Sequence, residues 1–181
     1  PDVVSTQDGV LVVRHENEIS GTTDVAARPE FVDRKVSKLV DGVAHTGWFT
    51  EDFTLDELKT MRARERLPQL RPQNIGLAHT QQILTFDEVL EIAEQANVGR
   101  EKPIGVYVET KHPTYFSGIV LDLHDFLLAV LDRLGVIPDS APVLRNSPAT
   151  CDLAAFRARP PLPRAPLEPT ARPPHSPVPP A

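Results

Sequence analysis

Acidic, basic and imidazole side chains stand at or beside the ends of the predicted strands. Asp2 lies on the first strand, His15 at the end of the second and Glu109 at the end of the third. In a parallel sheet or barrel the carboxyl ends of the strands converge on one face, where active sites are built. Two carboxylates there suit a hard cation such as Ca²⁺ or Mg²⁺, and a nearby histidine can move a proton near neutral pH. The pattern predicts a metal-centred site.

Lys111 extends this group, since it follows Glu109 by two residues and shares its side of the strand if the strand continues. A lysine beside a metal suits a phosphate oxygen. Simpler explanations stay open for each residue. Asp2 is near a chain end and could merely be exposed, and His15 lies in the charged run 14–16. Glu109 and Lys111 could be a solvated pair of little energetic value.

The elements that must position these residues alternate between strand and helix signals along residues 1–135. Two helices begin with a capping-box pattern, Thr followed three residues later by Glu, and the strands are short apolar runs next to turn formers. This alternation predicts a parallel α/β fold. The predicted elements are strand–turn–strand over 2–13, helices over 54–66, 85–97 and 122–134, and a buried strand over 104–109.

Residues 16–54 are polar, weakly periodic and rich in turn formers, among them Asp41 and Gly42. We expect a long loop without regular structure of its own, of the kind that often carries function.

Composition excludes several classes of protein. The chain has 181 residues, 40% of them hydrophobic, and no apolar run as long as the ~18 residues of a membrane span. A net charge of -6 argues against a nucleic-acid binder that works by bulk charge. The single cysteine, Cys151, excludes an intrachain disulfide framework and a Cys-based zinc site.

The C-terminal quarter has a different composition. Residues 136–181 contain 13 of the 19 prolines and neither Lys nor Gly. We expect the folded part to end at 135 and 136–181 to be a disordered, proline-rich tail. It is either a polyproline-type ligand of an unknown partner or an unstructured tail without one.

Two blocks of the sequence resemble conserved blocks of glycerophosphodiester phosphodiesterases. DVVSTQDGVLVVRHENEISGTTD, residues 2–24, resembles that family's second block, and GVYVETKHPTYF, residues 105–116, resembles the block on its third strand. GWFTEDFTLDELK at 47–59 and RARER at 62–66 are similar to the bacterial and plant branch with a long insertion after the second strand, here 18–84. The resemblance covers roughly residues 1–135.

The resemblance implies a (β/α)₈ barrel, of which this chain would hold a part without the first strand and the C-terminal half. It implies hydrolysis of glycerophosphodiesters to glycerol 3-phosphate and an alcohol, with a divalent metal, Ca²⁺ rather than Mg²⁺. Asp2 and Glu109 match metal carboxylates, His15 one of two catalytic histidines, and Lys111 a basic residue near the phosphate. The other histidine and the first carboxylate of the family's E-x-D motif would precede Pro1.

We therefore expect a partial phosphodiesterase whose activity is impaired in this chain alone. Two alternatives stay open, namely a non-catalytic binder of phosphate or glycerophosphodiesters on the same scaffold and an interaction protein that works through its tail. The resembling branch is often periplasmic or secreted, but no signal peptide is visible, so the sequence assigns no compartment.

Overall fold

A computed structural model describes residues 1–133 and the backbone of residues 143–146. The strands are β1 (Asp2–Ser5), β2 (Leu11–Val13), β3 (Val36–Val40), β4 (Val43–Gly47), β5 (Val106–Thr110) and β6 (Val143–Asn146). The helices are α1 (Leu55–Thr60), α2 (Phe86–Asn97), α3 (Pro113–Gly118) and α4 (Leu123–Arg133). Short 3₁₀ turns cover Val25–Ala27, Pro29–Arg34, Thr50–Asp52 and Pro72–Leu77. Within these described residues, no helix is long and apolar enough to cross a membrane.

The central sheet has four strands in the order β2-β1-β5-β6. β1 pairs antiparallel with β2 and parallel with β5, and β5 pairs parallel with β6. Because β1 and β5 are parallel neighbours, the chain must cross over between them, and α2 belongs to that crossover. The α/β arrangement and the strand–turn–strand over 2–13 are confirmed.

β6 lies inside the segment that was predicted to be tail. Residues 106–109 of β5 pair in register with residues 143–146. The central sheet therefore includes one strand from beyond residue 135. A run such as Val143-Leu144 between prolines is a weak strand signal by itself, but a parallel neighbour can accept it at a sheet edge. The rest of the predicted tail, 136–142 and 147–181, is outside the described residues.

A tight turn joins β1 to β2. Gly9 has φ +78°, a left-handed conformation that L side chains rarely adopt. The Thr6 hydroxyl donates to Asp8 Oδ1 at 2.6 Å and accepts from the backbone N–H of Val10 at 2.9 Å. The predicted turn thus closes through its own side chains and fixes which residues of the two strands face each other.

One hydrophobic core lies between the sheet and the helices. Val3 and Val4 of β1 are both fully buried, as a strand covered on both faces should be. Helices α2 and α4 turn apolar faces inward because their hydrophobic residues recur at helical spacing. The largest fully buried side chains include Phe49, Phe53, Phe86, Phe116, Leu11, Ile19, Leu58, Met61, Leu123 and Leu127.

Residues 16–54 contain more regular structure than predicted. β3 and β4 form an antiparallel hairpin whose turn, Asp41 and Gly42, has positive φ at both positions (48° and 82°). This is the geometry that lets a two-residue turn follow the twist of its strands. The expectation of a structureless loop is wrong here, because most side chains of the hairpin are exposed and give no alternating apolar pattern.

Candidate functional site

The predicted carboxylates lie next to each other across two strands. Asp2 of β1 is the register partner of Glu109 of β5, and the Glu109 N–H donates to the carbonyl of Pro1 at 3.0 Å. Residues directly opposite each other on neighbouring strands project from the same face of a sheet. Glu109 lies near the carboxyl end of its strand, as predicted. Asp2 instead begins β1, and it reaches the same level because β1 starts where β5 ends.

Lys111 joins the two carboxylates. Its ammonium lies 2.6 Å from Glu109 Oε1 and 3.1 Å from Asp2 Oδ1, and only 15% of its side chain is exposed. Burial by itself would lower the pKa of Lys111, but its hydrogen bonds to Glu109 and Asp2 outweigh that and hold the pKa above its ordinary value. The Lys111 N–H donates to the carbonyl of Val3 at 3.0 Å, so pairing with β1 continues past β5. The ion pairs are therefore partly buried rather than fully solvated.

His15 follows β2 and is largely exposed, at 59% of its side chain. β2 runs antiparallel to β1 with Val13 opposite Val3. The chain that follows β2, which carries His15, therefore runs alongside Asp2 and Pro1. The Nδ1 atom of His15 lies 3.1 Å from Glu16 Oε1, and Glu16 in turn pairs with Arg66. Within residues 1–133, no hydrogen bond or ion pair joins His15 to Asp2, Glu109 or Lys111.

The tip of the β3–β4 hairpin reaches the loop after β5. His112 Nδ1 lies 2.6 Å from the carboxylate of Asp41, which occupies the hairpin turn. His112 itself has φ 54° and precedes α3, which begins with Pro113. The residue after Lys111 is therefore held by the β3–β4 hairpin, at one edge of the predicted site.

A second polar cluster, which sequence reasoning missed, surrounds Glu51. The Glu51 side chain is only 2% exposed. It accepts hydrogen bonds from Tyr115 Oη at 2.5 Å, from Lys38 Nζ at 3.0 Å, and from Asn17 Nδ2 at 3.1 and 3.2 Å. These residues come from four separate stretches of the sequence, so no local motif could have shown that they meet. We call this group the Glu51 cluster.

Comparison with known proteins identifies the family of this chain. The model of the glycerophosphoryl diester phosphodiesterase family matches residues 1–162. This chain belongs to that family. It is 42% identical over 116 residues to "Glycerophosphodiester phosphodiesterase GDPD6" of Arabidopsis thaliana, which covers 64% of this chain and 29% of that protein. It is 28% identical over 142 residues to a Haemophilus influenzae glycerophosphodiester phosphodiesterase, covering 74% of this chain and 36% of that protein.

A solved structure shares the fold. A protein from Silicibacter pomeroyi DSS-3 that carries the family's name superposes with a TM-score of 0.56 over 86% of this chain and 49% of that chain. The two are 18% identical, so the likeness concerns the fold alone. This chain has an α/β fold of the family and spans about a third of the length of the curated relatives it matches.

The donor chemistry of the site fits a hard divalent cation in part. Asp2 and Glu109 offer carboxylate oxygens at one register, which are the ligands that Ca²⁺ and Mg²⁺ prefer. Across residues 1–133, however, no group of three or more His, Cys, Asp or Glu side chains could hold a metal. A cation at Asp2 and Glu109 would need further oxygen ligands, such as water or substrate, and would share these carboxylates with Lys111.

Proposed function

We propose that this chain supplies one side of a site that hydrolyses glycerophosphodiesters to glycerol 3-phosphate and an alcohol. The proposal places that site on part of a (β/α)₈ barrel. The observation that carries it is the adjacent register of Asp2 and Glu109, bridged by Lys111, in a member of this family. Carboxylates and an ammonium group at one level of a sheet are suited to gripping a phosphodiester through a cation and a direct ionic contact.

In this proposal Asp2 and Glu109 hold a divalent cation, Ca²⁺ rather than Mg²⁺. Ca²⁺ accepts irregular sets of six to eight oxygens, whereas Mg²⁺ demands a near-ideal octahedron, and two partly exposed carboxylates suit the looser requirement. The bound cation would supply Lewis-acid polarisation of the phosphodiester. Lys111 donates to a phosphate oxygen.

His15 is proposed to move the proton. Its Nδ1 faces the Glu16 carboxylate, which orients the ring, and its Nε2 has no hydrogen-bond partner among residues 1–133. An exposed imidazole held in this way can accept a proton from an attacking hydroxyl or donate one to a leaving alkoxide. His15 fills one of these two roles.

The insertion, residues 18–84, is proposed to cap the site and to help select the alcohol half of the substrate. Two ion pairs support this placement. Asp41 at the hairpin tip pairs with His112, and Arg66 pairs with Glu16. Both contacts join the insertion to residues that immediately follow a proposed functional side chain.

The test is hydrolysis of glycerophosphocholine by the purified full chain, followed as release of glycerol 3-phosphate. Because activity is predicted to be impaired in this chain alone, we expect weak turnover with Ca²⁺, less with Mg²⁺ and none with a chelator. The Glu109→Gln variant should be inactive, whereas Glu91→Gln, which changes an exposed glutamate of α2, should match the wild type. Turnover that survives the chelator or Glu109→Gln would contradict the proposal. Phosphate binding without turnover would favour a non-catalytic binder.

A further inference from the structure

The carboxyl group of Glu51 is buried beside the proposed site and is not assigned to the chemistry. Glu51 follows Thr50 in a 3₁₀ turn of the insertion, and its side chain is almost completely removed from solvent. Burying a carboxylate is costly unless hydrogen bonds and an opposite charge compensate for it. The Glu51 cluster provides both. The positions of the donors in the sequence indicate the role of this buried carboxyl group.

Two of the donors belong to the segments that carry the proposed functional groups. Asn17 lies two residues after His15, and Tyr115 lies four residues after Lys111, in the first turn of α3. One carboxylate therefore contacts both segments at once. A backbone hydrogen bond from the Thr50 N–H to the Asn17 carbonyl, at 2.9 Å, also joins the turn that carries Glu51 to the segment that carries His15.

The Glu51 oxygens are fully used by these contacts. Oε1 accepts from Asn17, Lys38 and Tyr115, and Oε2 accepts from Asn17 and, at 3.5 Å, from Thr50. A carboxylate offers about four lone-pair positions. Burial and the hydrogen bond to Glu51 raise the pKa of Tyr115 far above its ordinary value, so its hydroxyl stays a donor at any working pH. Both Glu51 oxygens are therefore occupied by donors from the same chain, which leaves no free position for a cation.

We propose that Glu51 is a positioning residue that fixes the segment carrying His15 relative to the segment carrying Lys111. The inference rests on the proposed function for its catalytic consequence, but the mechanical link can be measured without activity. Lys38 reaches Glu51 from β3 and places its ammonium group 3.0 Å from Glu51 Oε1 and 2.7 Å from Asp52 Oδ1. The insertion thereby sets the spacing of two elements of the site in addition to covering it.

The test is hydrogen exchange of the full chain, comparing the wild type with Glu51→Gln and Tyr115→Phe. Glu51→Gln should raise exchange about tenfold or more in both 14–17 and 111–116, because hydrogen bonds to charged groups are the strong ones. Tyr115→Phe should raise exchange in 111–116 alone, because the contact to Asn17 remains. Glu57→Gln is the matched control, because Glu57 pairs with Arg34 and contacts neither segment.

Uniform loss of protection in Glu51→Gln, reaching α2 and α4 as much as the two segments, would overturn the proposal, since that is the result of a merely structural carboxylate. Tyr115→Phe keeps the test decisive if Glu51→Gln does not fold, and unchanged exchange at 111–116 in that variant would also overturn it. In an active wild type, Tyr115→Phe should lower kcat about tenfold with little change in KM or melting temperature. An inactive wild type would refute the proposed function, while the exchange pattern would still decide the role of Glu51.

Discussion

Lys111 offers the sharpest perturbation of the site. Replacing it with methionine keeps most of the volume of the side chain but removes the cation that separates two carboxylates at one register. Asp2 and Glu109 would then face each other without an opposite charge. We expect the Lys111→Met variant to fold with reduced stability and to be stabilised by divalent cations more strongly than the wild type, because the cation would also replace the missing ammonium group.

The size of the loss follows from the geometry. Neighbouring strands lie about 4.8 Å apart, and two unit charges at that distance repel by about 3 kcal/mol at an effective dielectric constant of about 20. About a third of the Asp2 side chain is exposed, at 33%, so solvent screening reduces this value. We expect Lys111→Met to lower the free energy of unfolding by about 2 kcal/mol at pH 7, a drop of roughly 4 to 8 °C in Tm.

The pH dependence has a definite sign. The folded-state pKa of Lys111 is raised above its ordinary value of 10.5. Its contribution to stability is therefore complete below that ordinary value and is lost as the pH rises through the folded-state pKa. The difference between wild type and Lys111→Met should be constant at neutral pH and should shrink above about pH 10.5.

The assay is urea unfolding with and without millimolar Ca²⁺. Ca²⁺ should restore most of the stability that Lys111→Met loses. The control is Lys59→Met, which removes a lysine of similar exposure that pairs with Glu88 at 2.5 Å in another part of the chain. This control should be destabilised without responding to Ca²⁺. Equal stability of Lys111→Met and wild type, or equal Ca²⁺ responses in the two lysine variants, would refute the reasoning.

Three further changes test separate parts of the structure. His15→Ala should lower kcat 10²- to 10⁴-fold, as expected for a lost proton-transfer group. Its Tm should stay nearly unchanged because the side chain is 59% exposed, and a large fall in Tm would contradict this. The hydrogen bond from Arg34 lowers the pKa of Glu57, so the stability difference between wild type and Arg34→Met should be constant above about pH 4.5 and should vanish in acid, as followed by urea unfolding. Gly9→Ala should cost about 1 to 2 kcal/mol in the same assay, because φ is +78° and the new Cβ would lie 3.0 Å from the Phe126 ring; an unchanged urea midpoint would exclude this strain.

Local signals predicted the helix starts well. Thr54 and Thr85 were expected to begin helices with capping boxes, and in both cases the threonine accepts from the N–H of the glutamate three residues later while that glutamate accepts in return. The predicted helices 85–97 and 122–134 correspond to α2 and α4, of which residue 134 is outside the described part. These features depend on neighbours in sequence, so a single sequence contains them.

Helix α1 is shorter than its sequence pattern predicts, because tertiary contacts determine the chain path after its first turns. The helix was expected to reach residue 66 and ends at Thr60. The Arg62 guanidinium donates to the carbonyls of Lys59, Thr60 and Met61, which the helix leaves unpaired. Ala63 then pairs with the backbone of Gln81 at 2.8 Å, a partner that no helical periodicity can reveal. The Glu51 cluster was missed for the same reason, since its members meet only after the sheet and the insertion have formed.

The net charge of the site determines whether it attracts or repels the proposed substrate. Asp2 and Glu109 contribute two negative charges and Lys111 one positive charge, so the group carries a net charge of about -1. A phosphodiester, also an anion, would be repelled by the carboxylates even while Lys111 attracts it. A divalent cation would change the sum to about +1, which a phosphodiester neutralises. We therefore expect the wild type to bind glycerol 3-phosphate, measured by titration calorimetry, at least tenfold more tightly with Ca²⁺ than with a chelator. The Glu109→Gln variant should lose this dependence, and equal affinity with and without the cation in the wild type would show that Lys111 alone holds the phosphate.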